Sequence, residues 1–365
     1  MLDKKFRDEI VKTRKEDISD LPRTVAWESP SNVALVKYWG KKDEQIPLNP
    51  SLSLTLSNLH TRTEIHYRKS KHETSKVFFR FGNNDEHPFG KRVKKYLKKT
   101  EKYFPFLAYM DLYIESNNNF PHSSGLASSA SAYSSIALCL CSIEDDLRRE
   151  EYSSERFFQK ASYIARLGSG SACRSVYGNL VEWGEHDYGS NGFANPFGHR
   201  IHKIYETLQD SILLVSSKEK KITSSEGHKK MHNHPFREAR KEQAVKNLDK
   251  IRIAIKEGNF TKFANIVENE ALTLHSLMLS SNPGFLLMEE STIEIIEKVR
   301  KQRKENKLPV TFTLDAGPNV HLIYPLEAKE EVRNFINNEL TGYCEHGQVI
   351  HDFTGPGPHR TDGKG

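Results

Sequence analysis

Residues 51–56 read SLSLTL, a strict apolar–polar alternation with the period of a half-buried strand. Short apolar clusters at 65–67 and 77–81 predict further strands, separated by a charged, hairpin-like segment at 68–76. Residues 91–102 (KRVKKYLKKTEK) form a basic helix with Val93, Tyr96 and Leu97 on one face. A strand at 110–115 precedes a helix at 129–141 that carries Tyr133, Ile136, Ala137 and Leu140 at helical spacing. A helix near 155–165 leads to a Gly/Ser loop and a strand at 180–183. The polar, Gly-rich stretch 184–198 reads as an excursion or domain junction. Beyond it the pattern gives a buried strand at 212–215 with a polar tail over 218–227. Helices near 237–257, 260–275 and 291–302, a strand at 310–314 and a last helix within 326–340 follow. No internal repeat is present. Strands and helices interleave without a regular βαβ period, so the fold class is α+β. A boundary near residue 200 divides the chain into 1–200 and 201–353. The tail TGPGPHRTDGKG, residues 354–365, has nothing to bury and is expected to be flexible.

Length and composition agree with two or three domains at about 150 residues each. With 365 residues, 36% hydrophobic and 28% charged, the chain can bury a core, which excludes disorder over most of its length. Lys plus Arg number 54 against 48 Asp plus Glu, a net +6 that suits anionic small molecules and nucleic acid alike. Four cysteines without CxxC spacing do not make a disulfide framework and point to a reducing compartment. The first twenty residues alternate charges where a secretory signal would be apolar. The longest apolar run, 136–141, falls far short of the ~18–20 residues that span a bilayer. A cytoplasmic protein that makes no use of a membrane is expected. The basic helix could suggest nucleic acid, but no aromatic or Gly-rich motif accompanies it, and a solvated surface helix with three core anchors is the preferred reading.

Four loops carry candidate chemistry. Residues 121–130 (PHSSGLASSA) lie between a strand and a helix start, where unpaired N–H groups and the helix dipole favour an anion. Gly125 permits close backbone approach, and Ser128 and Ser129 offer hydroxyls to phosphate or hydrated Mg²⁺. The loop is neither a Walker A motif nor GxGxxG, and an ordinary Ser-capped helix is the competing reading. Residues 168–174 (GSGSACR) make a donor-rich turn ending in Arg174, whose planar fork suits carboxylate or phosphate. Residues 311–319 (TFTLDAGPN) run a strand into a turn at Asp315, which either lines a cleft or closes an Asx-type turn. In residues 29–41 (SPSNVALVKYWGK), Lys37 and Lys41 can face one anion, with Tyr38 donating a hydroxyl and Trp39 packing beneath. Two solvated lysines are the alternative. Three anion-friendly loops and an isolated Asp suggest phosphoryl transfer to a small, negatively charged acceptor.

The segments SNVALVKYWGK, NNFPHSSGLASSAS, GSGSACRS and TLDAGPN together resemble the diphosphomevalonate decarboxylases of the GHMP kinase superfamily, in that family's order from residue 28 to about residue 325. The resemblance implies a two-domain GHMP kinase fold, ribosomal protein S5 domain 2-like and then ferredoxin-like, with the active cleft between the two. It implies that ATP phosphorylates the 3-hydroxyl of (R)-5-diphosphomevalonate, after which phosphate and CO₂ leave to give isopentenyl diphosphate. Asp315 would be the base or orienter at that hydroxyl, Arg174 the carboxylate clamp, Asn32 its support and Lys37 a charge stabiliser. Tyr38, Lys41, Ser169 and Ser171 would grip the 5-diphosphate, with Trp39, Gly40, Gly170, Ala172, Cys173 and Ser225 completing the substrate set. Gly125, Leu126, Ala127, Ser128 and Ser129 would wrap the ATP phosphates, with Ser129 at the γ-phosphate. ATP as co-substrate, Mg²⁺, no protein-borne metal site, no nucleic acid and a homodimer are implied as well.

The chain departs from the family in three places. His122 stands in the phosphate loop and reads as surface loop chemistry, residues 220–228 match loosely, and only Lys91 or Arg92 matches an Arg that relatives place before the first helix. These positions concern the diphosphate end. A 5-phosphomevalonate decarboxylase or a mevalonate 3-kinase on the same fold is the alternative, and joint retention of Asp315, Arg174 and Lys37 favours decarboxylation. A non-catalytic anion-binding protein would lack the base or the clamp, and the chain has both.

Overall fold

A computed structural model describes residues 6, 15–18, 20–72, 74–120, 126–148, 153–185, 192–218 and 224–363. The first long strand, β1 (Arg23–Val36), has no alternating pattern, because from Trp27 onward almost every residue is buried. One stretch of it lies under helices of the N-terminal half, and its far end is covered by the C-terminal half, where the Thr313 hydroxyl donates to the Ala34 carbonyl. A strand buried on both faces reads as a continuous run rather than an alternation. Pro30 sits at an irregularity in the pairing, where its missing N–H is tolerated.

β2 (Ser51–Lys69) is a single 19-residue strand where the sequence pattern predicts two. Its middle carries Thr61 and Thr63, fully buried and hydrogen-bonded to Ser131 and Ser135, each at 2.6 Å. Those serines belong to α2 (Ser128–Leu147), which packs a stripe of hydroxyls against the sheet. Polar letters therefore occupy core positions, each satisfied by a partner.

The remaining elements of the first sheet are β3 (Val77–Phe81), β4 (Met110–Asn118), β5 (Leu180–Trp183), β6 (Asn195–Pro196) and β11 (His359–Arg360). The main path runs β11-β1-β2-β4-β3, and β5 and β6 continue from the other end of β2. Among the described strands only β3 and β4 are parallel, joined by the crossover helix α1 (Phe89–Thr100), the basic helix, whose Val93, Tyr96 and Leu97 are buried as expected. α2 covers this sheet, and α3 (Ser154–Gly168) packs against α2 and α1.

A second, all-antiparallel sheet has the order β10-β7-β9-β8, from β10 (Val349–Phe353), β7 (Gln209–Leu213), β9 (Val320–Tyr324) and β8 (Thr311–Leu314). α7 (Glu290–Glu305) and α8 (Lys329–Phe335) pack on one face through Val299, Val332, Phe312 and Leu322. α5 (Arg237–Glu257) and α6 (Phe260–Leu279) pack between the other face and β1 and β2, so Leu248, Ile251, Phe263, Ile212, Leu35 and Leu54 share one core. A short helix, α4 (Ser224–Lys230), lies over the end of β1. No helix of the described residues is long and apolar enough to cross a membrane.

The expectation of a loose tail is corrected. Trp27 and Glu28 pair with Arg360 and His359, Gly355 donates its N–H to the Thr55 carbonyl at 2.8 Å, and Arg360 holds Asp362 at 2.8 Å. The exposed edge of β1 offers unpaired backbone groups, and the tail covers them.

Candidate active site

Where β1 ends, the backbone of Lys37 is gripped from the other half of the chain. Glu270 on α6 accepts the Lys37 N–H at 2.8 Å. Arg240 on α5 donates to the Lys37 carbonyl at 2.8 Å, and Asn49 donates to the same carbonyl at 2.9 Å. Arg240 and Glu270 form a two-pronged buried ion pair at 2.8 and 2.6 Å, and Asn247 adds a third contact to Glu270 at 2.6 Å. Such a pair is sound only when every charge is hydrogen-bonded, and these fix the backbone of the residue they surround.

The side chain of Lys37, 1% exposed, extends to Asp315, with Nζ 2.9 Å from Oδ1. Asp315 follows the last residue of β8 and is 29% exposed, so the carboxylate is held by a buried cation while still open to a cleft. Burial pushes the Lys37 pKa down, opposed mainly by the Asp315 charge.

Arg174 lies in a tight turn (Gly170–Val176) that follows α3. Its Nε donates to Asn32 Oδ1 at 3.3 Å and its Nη1 to Ser51 Oγ at 2.8 Å. Asn32 is fixed in turn by its own donation to Ser175 Oγ at 2.8 Å. Burial lowers the Arg174 pKa, and the neutral oxygens of Asn32 and Ser51 leave its positive charge available to a ligand.

These groups open onto a cleft of about 240 Å³ whose wall takes in Asn32, Lys37, Tyr38, Trp39, Lys41, Ala127, Ser129, Ser169, Gly170, Ser171, Arg174 and Asp315. Arg92, Gln45, Tyr133 and His228 complete much of the rest. Lys37, Lys41, Arg92 and Arg174 give the described wall four cations against one carboxylate, a field suited to a multiply charged anion. Lys41 donates to Gln45 at 2.7 Å, and burial followed by Lys229 and Lys99 lowers its pKa. The basic helix α1 thus lends charge to this rim through Lys99.

Tyr38 Oη is buried and has no hydrogen-bond partner among the described residues. It rests against Gly170, where a Cβ would stand 2.7 Å from that oxygen, so the turn can take no larger residue without displacing the tyrosine. Trp39 packs beneath, among Leu48, Met231 and Leu274. Gly40 is behind the wall. Its φ of +89° demands glycine, and so does a Leu48 methyl carbon that would lie 2.6 Å from any Cβ there.

On the opposite wall α2 starts after Ala127, which has a left-handed φ of +52°, and no side chain among the described residues caps the helix. The Ser-capped reading of this start is therefore corrected, and Ala127 and Ser129 line the cleft, with Ser129 3.4 Å from Ser169 between hydroxyls. Ser128 is buried at the first turn, and Leu126 joins the shared core. Ala172 and Cys173, expected around substrate, turn their side chains into two separate cores, because successive residues of the three-residue helical turn point about 120° apart. Gly125 and His122 lie outside the described residues, as does the side chain of Ser225.

The sequence motifs did not single out Glu270, Arg240, Asn247, Ser51 or His228 for a role. The first three are isolated polar letters within helices, and nothing local marks them. Of Lys91 and Arg92, it is Arg92 that reaches the cleft.

A helix start supplied by one α+β half and a carboxylate supplied by the other line the same cleft, and the layering is that of the GHMP kinase fold of small-molecule kinases. Residues 29–194 match the diphosphomevalonate decarboxylase-like N-terminal domain, and residues 211–355 match the mevalonate 5-diphosphate decarboxylase C-terminal domain. The chain is 30% identical over 329 residues to the diphosphomevalonate decarboxylase of Ganoderma lucidum, covering 84% of this chain and 80% of that one. It belongs to the diphosphomevalonate decarboxylase family. Among solved structures, a mevalonate diphosphate decarboxylase from Legionella pneumophila is 30% identical with a TM-score of 0.76, covering 90% of this chain and all of that one. MDDEF, solved in complex with MVAPP, AMPPCP and magnesium, is 28% identical with a TM-score of 0.79, covering 93% and 99%.

Proposed function

We propose that this chain catalyses the ATP-dependent decarboxylation of (R)-5-diphosphomevalonate, giving isopentenyl diphosphate, ADP, phosphate and CO₂. The observation that carries this reading is the Lys37–Asp315 pair, 2.9 Å apart and drawn from opposite halves of the chain, beside the Arg174 guanidinium. The Asp315 carboxylate, kept in place by Lys37, accepts the hydrogen of the substrate 3-hydroxyl and directs its oxygen at the γ-phosphorus of ATP. Arg174, aligned by Asn32 and Ser51, holds the substrate carboxylate across from it. Once phosphate is on the 3-oxygen, the carbon–carboxyl bond supplies the electron pair for the new double bond as the phosphate departs. The positive charges of Lys37 and Arg174 steady the charge that moves between the two leaving groups.

Tyr38, Lys41, Ser169 and Ser171 take the 5-diphosphate, and Ala127 to Ser129 take the nucleotide phosphates at the start of α2. ATP and magnesium fit these residues. The Ser129 and Ser169 hydroxyls are neutral oxygen donors suited to an ion that keeps most of its shell on phosphate and water. Bound there, magnesium would neutralise phosphate charge. A boundary near residue 200 is supported by the change of sheet between β6 and β7. Four free, buried cysteines are in keeping with a reducing, cytoplasmic setting, and the family resemblance supports a homodimer.

The test offers mevalonate, 5-phosphomevalonate and 5-diphosphomevalonate separately with ATP and Mg²⁺, following ADP and CO₂ together. Equal ADP and CO₂ from the diphosphate alone is expected. Preference for the monophosphate, or ADP without CO₂, would replace this reading with a neighbouring activity.

A further inference from the structure

His228 lies on α4 in a segment that matches the family loosely, yet it forms part of the cleft wall with Tyr38, Lys41 and Arg174. Its ring is held on two sides, with the Tyr38 centroid at 4.4 Å and the Trp39 centroid at 4.6 Å. Nδ1 accepts the Gly40 N–H at 2.9 Å. An accepting Nδ1 places the ring's proton on Nε2 and makes the imidazole neutral. Burial, then the charges of Lys41 and Arg174, push the His228 pKa down to about 3, so the ring stays neutral throughout the range in which an enzyme works.

Bracing Gly40 uses Nδ1, which leaves the Nε2–H as the polar group that His228, a residue of the cleft wall, has to offer a ligand. We propose that His228 is a positioning residue for substrate, donating a fixed, neutral hydrogen bond from Nε2 to a phosphate oxygen of the 5-diphosphate. The inference rests on the reading that a diphosphorylated acid occupies this cleft. Four cations already line the wall, and a fifth charge between Lys41 and Arg174 would be repelled by both. A neutral donor adds recognition of phosphate oxygen without that repulsion.

Two substitutions separate this role from mere bracing. In His228→Asn the carboxamide oxygen falls near the place of Nδ1 and can still accept from Gly40, but nothing reaches the place of Nε2. In His228→Gln the amide N–H₂ falls near the place of Nε2, and the acceptor for Gly40 is lost. His228→Asn is expected to raise the KM for 5-diphosphomevalonate about tenfold with kcat and the KM for ATP little changed, and His228→Gln to stay within about threefold of wild type. The opposite order, with Gln impaired and Asn normal, would make His228 a brace for Gly40 only and overturn the proposal. So would equal losses accompanied by a lower melting temperature, or no loss in either variant. Calorimetric binding of inorganic pyrophosphate to the same proteins distinguishes failure of the substrate reading. Weaker pyrophosphate binding in His228→Asn supports the donor even if wild type turns over no diphosphomevalonate, and unchanged binding contradicts it.

Discussion

Arg174 illustrates how a single residue depends on its supports. Its guanidinium is held by Asn32 and Ser51, residues that are far from it in sequence and brought close by β1 and β2. Asn32→Ala removes the acceptor of a charge-assisted hydrogen bond and is expected to lower kcat/KM by about 10- to 100-fold, with wild-type secondary structure by circular dichroism. Lys41, half-buried and hydrogen-bonded to Gln45, grips the remote end of the proposed substrate. Lys41→Ala should therefore raise the KM for 5-diphosphomevalonate about tenfold while kcat stays near wild type in steady-state kinetics. Lys37, Asp315, Arg174 and the Ser/Gly turns were legible because they stand in short runs whose residue types make sense only together. Glu270 was not legible, because an acidic residue in a helix looks the same in sequence whether it faces water or the backbone of Lys37 233 positions away.

At the scale of elements, the α5–α6 pair acts as a clamp on the end of β1. Glu270→Gln would leave Arg240 buried without its counter-charge, and about 3–5 kcal/mol of stability should be lost in denaturant unfolding. Turnover should fall too, since the Lys37 N–H, Arg240 and Asn247 would compete for the one acceptor oxygen that Gln retains, which loosens the backbone that aims Lys37 at Asp315. A second buried pair, His321 on β9 with Asp210 on β7 at 2.8 Å, lies on the face of the second sheet that looks toward the first. Burial pulls the His321 pKa down, but the Asp210 charge and hydrogen bond outweigh it and leave the value raised. A raised folded pKa means that the pair contributes its full stability below about pH 6.5, the unfolded value, and loses it as pH rises through the folded one. Unfolding followed across that range should show His321→Asn removing a pH-dependent component, where an unchanged profile would show that the pair does not titrate. α1 was legible from its periodicity, and β3 and β5 as short apolar runs. β1 and the middle of β2 were not, since one is buried on both faces and the other fills its core positions with hydroxyls. β9 was missed because its apolar run directly follows a turn read for its chemistry, and β10 because it is only partly buried and carries no clean alternation.

The whole molecule is closed by contacts that cross between its halves. α5 and α6 share a core with β1 and β2, Arg252 on α5 holds Glu182 on β5 at 2.8 and 2.9 Å, and the tail returns to pair with β1. Removing residues 356–365 should lower Tm by several degrees, at roughly 2–4 °C per kcal/mol for a unit of 150–250 residues, and leave the site intact. An unchanged Tm would show that the β11 pairing adds nothing. This long-range closure is what composition hid, because a Gly/Pro tail looks loose until the sheet edge that it covers is known. The same closure brings Asp315 to Lys37, and the proposed chemistry depends on that meeting. Its most direct test compares Asp315→Asn with wild type on ATP and 5-diphosphomevalonate. A fall in kcat of about 10²- to 10⁴-fold with nucleotide affinity unchanged is predicted. A variant that turns over near the wild-type rate would contradict the claim that the chemistry takes place at this pair.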